Sequence, residues 1–322
     1  MHLKKLATLI TCALLAFFAC AGSTQAAITN FFIATGGTTG TYFPIGSAIA
    51  QAAGKGGGMR VIAETSNASV ASLNLLGNME VDFALAQNDT AFWAYNGRRM
   101  FKAPLKNLRA IAVLYPEHIQ IVVTAESKIT DIAGMKGKRI SVGAPDSGTE
   151  TAARAIFELG KLAYADCKID YLDYAATAGR FKEGRLDAGF IVAGYPTAVI
   201  MDMAASKGIS LVSFSDAFLA DLAKKHPYFV PSVIPANTYH GTDKATKTPA
   251  VMAMLLTHSR ISDELVYSFV KNMFANLDAI HASHVMAKQI TLDGALKGLT
   301  VPLHPGALRF YREKNLKIPN IK

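Results

Sequence analysis

The segment TGGTTGTYFPIG, residues 35–46, decides how this chain is interpreted, and it directly follows the short apolar run of residues 28–34. The run predicts a strand, and the glycines and threonines after it predict a loop. Beyond the loop, apolar residues recur at the helical spacing i, i+3, i+4 and i+7, namely Ile45, Ala48, Ile49 and Ala52. Pro44 suits the first turn of that helix and Gly54 its end.

The loop between this strand and helix is a candidate anion site. Unpaired N–H groups and the positive end of the helix dipole meet there, so a carboxylate or phosphate could be held without Lys or Arg. The candidate ligand-binding residues are Gly37, Thr38, Thr39, Gly40, Thr41 and Tyr42. A turn that only lets strand and helix pack closely is the alternative. Nucleotide loops fit poorly, because no Lys follows the glycines and Thr35 replaces the first Gly of G-x-G-x-x-G.

The first 26 residues predict a secretory signal peptide. His2, Lys4 and Lys5 precede the apolar residues 6–21, and Thr-Gln-Ala at residues 24–26 forms a small-residue cleavage site before Ala27. An apolar core of this length is short for a membrane anchor. Phe17 and Phe18 fit poorly a lipidation site at Cys20. We therefore expect release into the periplasm.

The composition indicates which bonds and partners the exported protein is expected to have. Cleavage leaves Cys167 as the only cysteine, so no internal disulfide is expected. The formal charge falls from +9 to +7 with the loss of Lys4 and Lys5, and the remaining basic residues are scattered. Nucleic acid is thus not an expected partner. With 322 residues and 51% hydrophobic content, two lobes are expected.

Two further strand ends in the first part of the chain carry polar residues. Asn67 and Ser69 follow a strand at residues 59–64, and Gln87 and Asp89 follow a strand at residues 81–86. Ligands of open α/β sheets bind at the carboxyl ends of strands, so all four are candidate ligand contacts. Asn67 or Ser69 could equally cap the following helix.

The segment Tyr115-Pro116-Glu117-His118 separates two strand-like runs. We interpret it as a crossing point between lobes, with His118 at the edge of the cleft. Acid-base catalysis by His118 is the alternative, although no nucleophile is near it in sequence.

A second loop-to-helix junction, with Ser147 and Glu150 as a capping box, resembles the first. Gly148-Thr149 follows Gly40-Thr41 by 108 residues. Leu186-Asp187-Ala188 follows Val81-Asp82-Phe83 by 105 residues. Similar offsets predict two alike lobes, the second contributing the ligand contacts Ser147, Gly148, Thr149 and Tyr195.

We expect lobe 1 to comprise residues 27–117 with 236–322, and lobe 2 residues 118–235. The second crossing is expected at residues 231–238, which contain two prolines. Helices are predicted at residues 249–259 and 262–277.

Metal and enzyme chemistry are the other classes considered. His281 and His284 have metal-ligand spacing, but no third ligand accompanies them, so neither a metal nor a cofactor is expected. The chain lacks G-x-S-x-G, H-E-x-x-H and Walker sequences. A periplasmic enzyme acting on a small carboxylate is the alternative to a binding protein.

Seven segments, in this order, resemble the TAXI family of solute-binding proteins, the receptors of one branch of TRAP transporters, and are close to its 31 kDa immunogenic protein group. They are ATGGTTGTYFPIG, ETSNASVASLNLL, FALAQNDTAFWAYNG, LYPEHIQIVV, MKGKRISVGAPDSGTE, GRLDAGFIVAGYPT and VPLHPGALRFY. Thr39 stands where relatives often have Ala, and Asp146 where Gly is frequent.

The resemblance implies an α/β, two-lobed periplasmic type II solute-binding protein fold with a central ligand cleft, and no catalysis. It also implies binding of a small organic anion, such as glutamate or 2-oxoglutarate, and delivery to TRAP membrane subunits. The family lacks a ligand-clamping arginine, which suits a site of N–H groups, hydroxyls and amides. We expect a monomer.

Overall fold

A computed structural model describes residues 29–56 and 58–321. The predicted signal peptide, with Cys12 and Cys20, lies outside these residues. Within them, Cys167 is a free thiol, and no helix has both the length and the apolar character needed to cross a membrane.

Ten strands occur in the described part of the chain. They are β1 (Thr29–Ala34), β2 (Met59–Glu64), β3 (Phe83–Gln87), β4 (Leu108–Thr124), β5 (Arg139–Ser141), β6 (Lys168–Asp170), β7 (Ala188–Ala193), β8 (Ile209–Leu211), β9 (Val230–Ile234) and β10 (Thr246–His258).

Ten α-helices accompany the strands over the same residues. They are α1 (Tyr42–Gly54), α2 (Ser69–Gly77), α3 (Asn88–Asn96), α4 (Gly148–Leu159), α5 (Tyr174–Lys182), α6 (Ala198–Ser206), α7 (Asp216–Lys225), α8 (Asp263–Ala275), α9 (Leu277–His281) and α10 (Pro305–Glu313).

The strands form one sheet in the order β2-β1-β3-β10-β4-β7-β5-β6, with β8 paired to β4 and β9 paired to β10. The three strands at each end of this order run parallel to one another, whereas β10 and β4 pair antiparallel with their neighbours. We call the part around β1–β3 the first lobe and the part around β5–β9 the second lobe.

Two long strands connect the lobes. The first half of β4 pairs with β10 in the first lobe, and from His118 onward β4 pairs with β7 in the second. The return passage lies in β10, because its residues Thr246 to Ala250 pair with β9 whereas Ala253 to Thr257 pair with β3. The second crossing expected at residues 231–238 therefore lies about fifteen residues too early, since Val230–Ile234 is the strand β9 of the second lobe.

Residues 249–259 are mostly the strand β10 and not the predicted helix. Its segment VMAMLLTH is rich in residues that favour helices, but it lies in the middle of the sheet and is buried on both faces. A continuous apolar run of this kind cannot be assigned to helix or strand by periodicity. The neighbouring prediction of residues 262–277 is close to the observed α8.

Each lobe has an apolar core on both faces of its part of the sheet. In the first lobe, α1 and α8 cover one face around Ile45 and Phe269, and α2 and α3 cover the other around Leu73. In the second lobe, the two cores contain Phe157 and Phe181. Burial on both faces explains why β3 and β7 are uniformly apolar apart from Gln87 at the end of β3.

The internal repeat inferred from sequence corresponds to one structural feature in both lobes. Asp82 Oδ2 accepts a hydrogen bond from Phe32 N of β1, and Asp187 Oδ2 accepts one from Arg139 N of β5, both at 2.8 Å. Each aspartate lies just before a buried strand, β3 or β7, and ties it to the neighbouring parallel strand.

Candidate functional site

A cavity of about 540 Å³ lies between the lobes. Its walls come from the loops at the carboxyl ends of strands in both lobes, as expected for an open α/β sheet. Twelve of the fifteen ligand contacts predicted from sequence line it, namely Gly37, Thr38, Thr39, Gly40, Thr41, Tyr42, Asn67, Ser69, Gln87, Ser147, Gly148 and Thr149. Their roles as ligand contacts remain predictions.

Four helices begin at this cavity. The first residues of α1, α2, α4 and α5 are Tyr42, Ser69, Gly148 and Tyr174, and all four line it. The first turn of a helix leaves backbone N–H groups without intrahelical partners, and its dipole favours negative charge. Neither Arg nor Lys occurs among the described residues of the lining. The arrangement can hold an anion through N–H groups and hydroxyls.

Two of the four helix starts have side-chain caps. Ser147 Oγ accepts from Glu150 N at 3.1 Å, and Asp173 Oδ1 accepts from Ala176 N at 2.7 Å, so α4 and α5 have side-chain caps. The N-cap residues of α1 and α2 make no such bond. Asn67 and Ser69 therefore do not cap α2, and Ser69 Oγ instead accepts from Gln87 N at 3.0 Å. The first turn of α1 contains Pro44, which has no N–H, and Ala71 N in the first turn of α2 donates to Asp146 O, so neither of these helices has a full set of free donors.

Tyr42 and Glu117 form a buried pair in the cavity wall. The Tyr42 hydroxyl donates to Glu117 Oε2 at 2.6 Å. Burial, opposed in part by this hydrogen bond, raises the pKa of the Glu117 carboxyl well above its usual range. Burial and the neighbouring Glu117 likewise raise the pKa of Tyr42. The pair fixes the tyrosine ring against the anion loop.

On the opposite wall, Tyr174 organises Thr149. The Tyr174 hydroxyl donates to Val192 O at 2.7 Å and accepts from Val192 N at 3.1 Å. Its oxygen also lies 2.8 Å from Thr149 Oγ1. Because a phenol has one hydrogen, already given to Val192 O, Thr149 is the donor in this contact. The Thr149 hydroxyl therefore presents lone pairs, and its backbone N–H remains the group suited to an anion.

The two lobes touch across the cavity, so the structure is a closed form. Gly194 N donates to Thr41 Oγ1 at 3.1 Å, and Ala71 N donates to Asp146 O at 3.1 Å. The approach is close at position 40, where a Cβ would lie 3.3 Å from the Tyr174 ring. The absence of a side chain at Gly40 thus eases the approach of the two lobes.

The other three predicted contacts lie outside the cavity lining. Asp89 is fully buried in α3, where Oδ1 accepts from Thr90 N at 2.6 Å, and burial raises its pKa to about 7. His118 Nε2 lies 2.9 Å from Ser232 Oγ, and its ring packs edge-on against Tyr195. Burial lowers the pKa of His118 to about 4. These three side chains lie within the lobes and at their connection, and their roles as ligand contacts stay predictions.

Sequence reasoning missed several residues of the lining, among them Glu117, Asp173 and Tyr174. Glu117 directly precedes His118, which was predicted as a ligand contact. Successive side chains of a strand point to opposite faces, and it is Glu117 that lines the cavity. Asp173 and Tyr174 follow the end of β6 and begin α5, so the strand-end rule would also have selected them.

The His281 and His284 pair makes ordinary structural contacts. His281 Nε2 lies 2.9 Å from Ile290 O, and His284 Nδ1 accepts from Met286 N at 3.0 Å. Across residues 29–56 and 58–321, His, Cys, Asp and Glu side chains form no group of three that could hold a metal ion.

The model of the NMT1-like family matches residues 33–314, and the chain belongs to that family. Among solved structures, the alkanesulfonate-binding protein SsuA from Xanthomonas axonopodis pv. citri, bound to MOPS, superposes with a TM-score of 0.52 at 13% identity. The alignment covers 90% of this chain and 92% of SsuA. A binding protein component of an ABC phosphonate transporter from Pseudomonas aeruginosa gives a TM-score of 0.51 at 12% identity, over 82% of this chain and 79% of that one.

At these identities the likeness concerns the fold alone. It confirms the expected α/β architecture, that of type II solute-binding proteins with two lobes around a cleft. Membership of the NMT1-like family is a broader assignment than membership of the TAXI family. The resemblance to TAXI receptors therefore stays a prediction.

Proposed function

We propose that this member of the NMT1-like family is a periplasmic receptor that binds a small organic anion between its lobes and delivers it to membrane subunits of a transporter. The observation that carries the proposal is the convergence of four helix N-termini on one interlobe cavity whose described lining has no Arg or Lys. Helix N-termini provide donors and favourable potential for a carboxylate, sulfonate or phosphonate group.

The size and location of the cavity fit this role. A volume of about 540 Å³ is within the range of small-molecule sites, and it lies between lobes connected by two strands. A solute that touches both lobes favours the closed form by its differential affinity, and closure is a signal that membrane subunits can recognise.

For the transporter class, the seven ordered sequence segments favour a TAXI-type TRAP system, with glutamate or 2-oxoglutarate as the expected kind of solute. The neighbouring solved structures carry names of sulfonate and phosphonate binders, the second from an ABC transporter. In both transporter classes the receptor binds a solute and delivers it to membrane subunits. The proposal therefore rests on the chemistry common to these solutes, an anionic group held by backbone N–H groups.

A thermal-shift screen of the purified protein tests the proposal. Small carboxylates, sulfonates and phosphonates are compared with their neutral amides or alcohols at equal concentration. A ligand at about 100 times its Kd stabilises the folded state by about 2.7 kcal/mol, which corresponds to a rise in Tm of roughly 5 °C or more. A rise confined to anions supports the proposal, and no rise with any anion contradicts it.

A further inference from the structure

Glu117 presents a carboxylate oxygen to the cavity. The residue is 2% exposed and lines the wall, and its Oε2 accepts from the Tyr42 hydroxyl at 2.6 Å. Among the described residues, this bond to Oε2 is the hydrogen bond of the carboxyl, so the lone pairs of Oε1 remain available to a solute at this wall.

Among the described residues around Glu117 there is no compensating cation. The titratable groups facing it are the hydroxyls of Tyr42, Tyr115 and Tyr174, together with the carboxyl of Asp89. Arg99 acts on Asp89 but does not line the cavity. A buried carboxylate is costly unless a positive group pairs with it.

We infer that Glu117 forms the subsite for a protonated amino group of the solute, so that the receptor takes an amino acid in preference to the corresponding 2-oxo acid. The inference rests on the proposed function. The carboxylate of the solute lies at the helix N-termini, and its ammonium group donates to Glu117 Oε1. The solute thus supplies the cation that the described lining lacks.

The alternative is a protonated Glu117 that donates to an oxo or carboxylate oxygen of the solute. One contact opposes it, because Tyr42 already donates to the carboxyl and so favours its ionised, acceptor form. Burial and the nearby Asp89 raise the pKa of Glu117 and favour the protonated form while no cation is present, whereas an ammonium group of the solute would lower that pKa again.

The direct test is the selectivity of the wild-type protein within matched pairs. Calorimetry compares glutamate with 2-oxoglutarate, leucine with 4-methyl-2-oxopentanoate, and alanine with pyruvate, each pair differing only in the group at the α-carbon. The tightest-binding pair is expected to favour its amino acid at least tenfold. Equal affinity, or preference for the oxo acid, would overturn the inference.

The variant Glu117→Gln tests whether this residue causes the selectivity. Glutamine keeps the shape and an acceptor for Tyr42 but removes the negative charge, so affinity for the amino acid should fall at least tenfold while that for the oxo acid changes less than threefold. The control Glu126→Gln, at an exposed position just after β4, should change neither affinity. An equal loss for both ligands in Glu117→Gln would contradict the inference.

These outcomes separate the inference from the proposed function. Binding of oxo acids with exclusion of amino acids refutes the ammonium subsite and leaves an anion receptor intact. Binding of neither class, together with no thermal shift by any other anion, refutes both. The wild-type comparison does not depend on whether Glu117→Gln folds.

Discussion

Gly194 N of the second lobe donates to Thr41 Oγ1 of the first lobe at 3.1 Å. Thr41 is the N-cap residue of α1, and Gly194 follows directly after β7. The bond therefore joins the anion loop to the opposite lobe in the closed form. A residue that lies at the proposed site also stabilises closure.

Replacing this threonine tests the link between closure and affinity. In Thr41→Val the shape is kept but the buried Gly194 N–H loses its acceptor, a cost of about 1 to 3 kcal/mol that applies to the closed form. Calorimetry should show affinity weaker by roughly tenfold or more, with the ligand-free Tm nearly unchanged. The exposed Thr130→Val is the control, and equal affinities for the two variants would count against this role of the bond.

Gly148→Ala is expected to block closure. A Cβ at this position would lie 2.6 Å from Ser69 Oγ and closer still to the Gln87 amide, both in the other lobe. Because the clash exists only when the lobes meet, the variant should fold normally but bind at least tenfold more weakly.

The matched control for that variant is Gly179→Ala in α5, where a Cβ would meet nothing within 4 Å. Alanine in a helix is favoured over glycine by roughly 0.5 to 1 kcal/mol, so this control should be slightly more stable and bind normally. If Gly148→Ala bound with wild-type affinity, the neighbouring side chains would have accommodated the added methyl group, and the expected block of closure would be wrong.

The buried Asp89 makes stability depend on pH. Its pKa is raised to about 7 in the folded protein from an ordinary value of 3.8, mainly by burial. The unfolded chain thus loses this proton at lower pH than the folded one, so the contribution of Asp89 to stability falls as the pH rises from about 4 to about 7.

Asp89→Asn should remove this dependence. Relative to wild type, the variant should gain about 1 to 4 kcal/mol at pH 8, and the gain should shrink toward pH 4. Denaturant titrations across this range measure the difference. A gain that does not vary with pH would assign the effect to packing and not to ionisation.

How much of this site could be foreseen depended on how its residues are spaced in the chain. The anion loop was predictable because its residues are contiguous and precede a clear helix. The Gly148 junction was predictable through the repeat. Glu117 was missed because strand alternation places it and His118 on opposite faces, and the sequence does not say which face the cavity adjoins.

The path of the chain between the lobes was harder to predict for a related reason. Prolines at positions 231 and 235 indicate a break, yet the first of them lies within β9, a strand that pairs with β10. The return passage lies inside β10, just after Pro249, and the strand continues through this proline without a turn. Burial on both faces removed the periodicity that would have identified the strand.

Closure should also be visible as compaction in solution. Because both connections are strands that bend together, we expect the radius of gyration from X-ray scattering to fall when the anion with the largest thermal shift is added at saturation. Gly148→Ala should show a smaller change. A constant radius in the wild type, despite binding detected by calorimetry, would mean that the lobes do not move.

Hydrogen exchange with and without that same anion tests the central claim most directly, because it reports on each lobe separately. Binding between the lobes predicts slower exchange at residues 36–42 of the first lobe and at residues 147–149 of the second together. Protection confined to one of these two segments would place the solute on a single lobe and contradict the receptor described above.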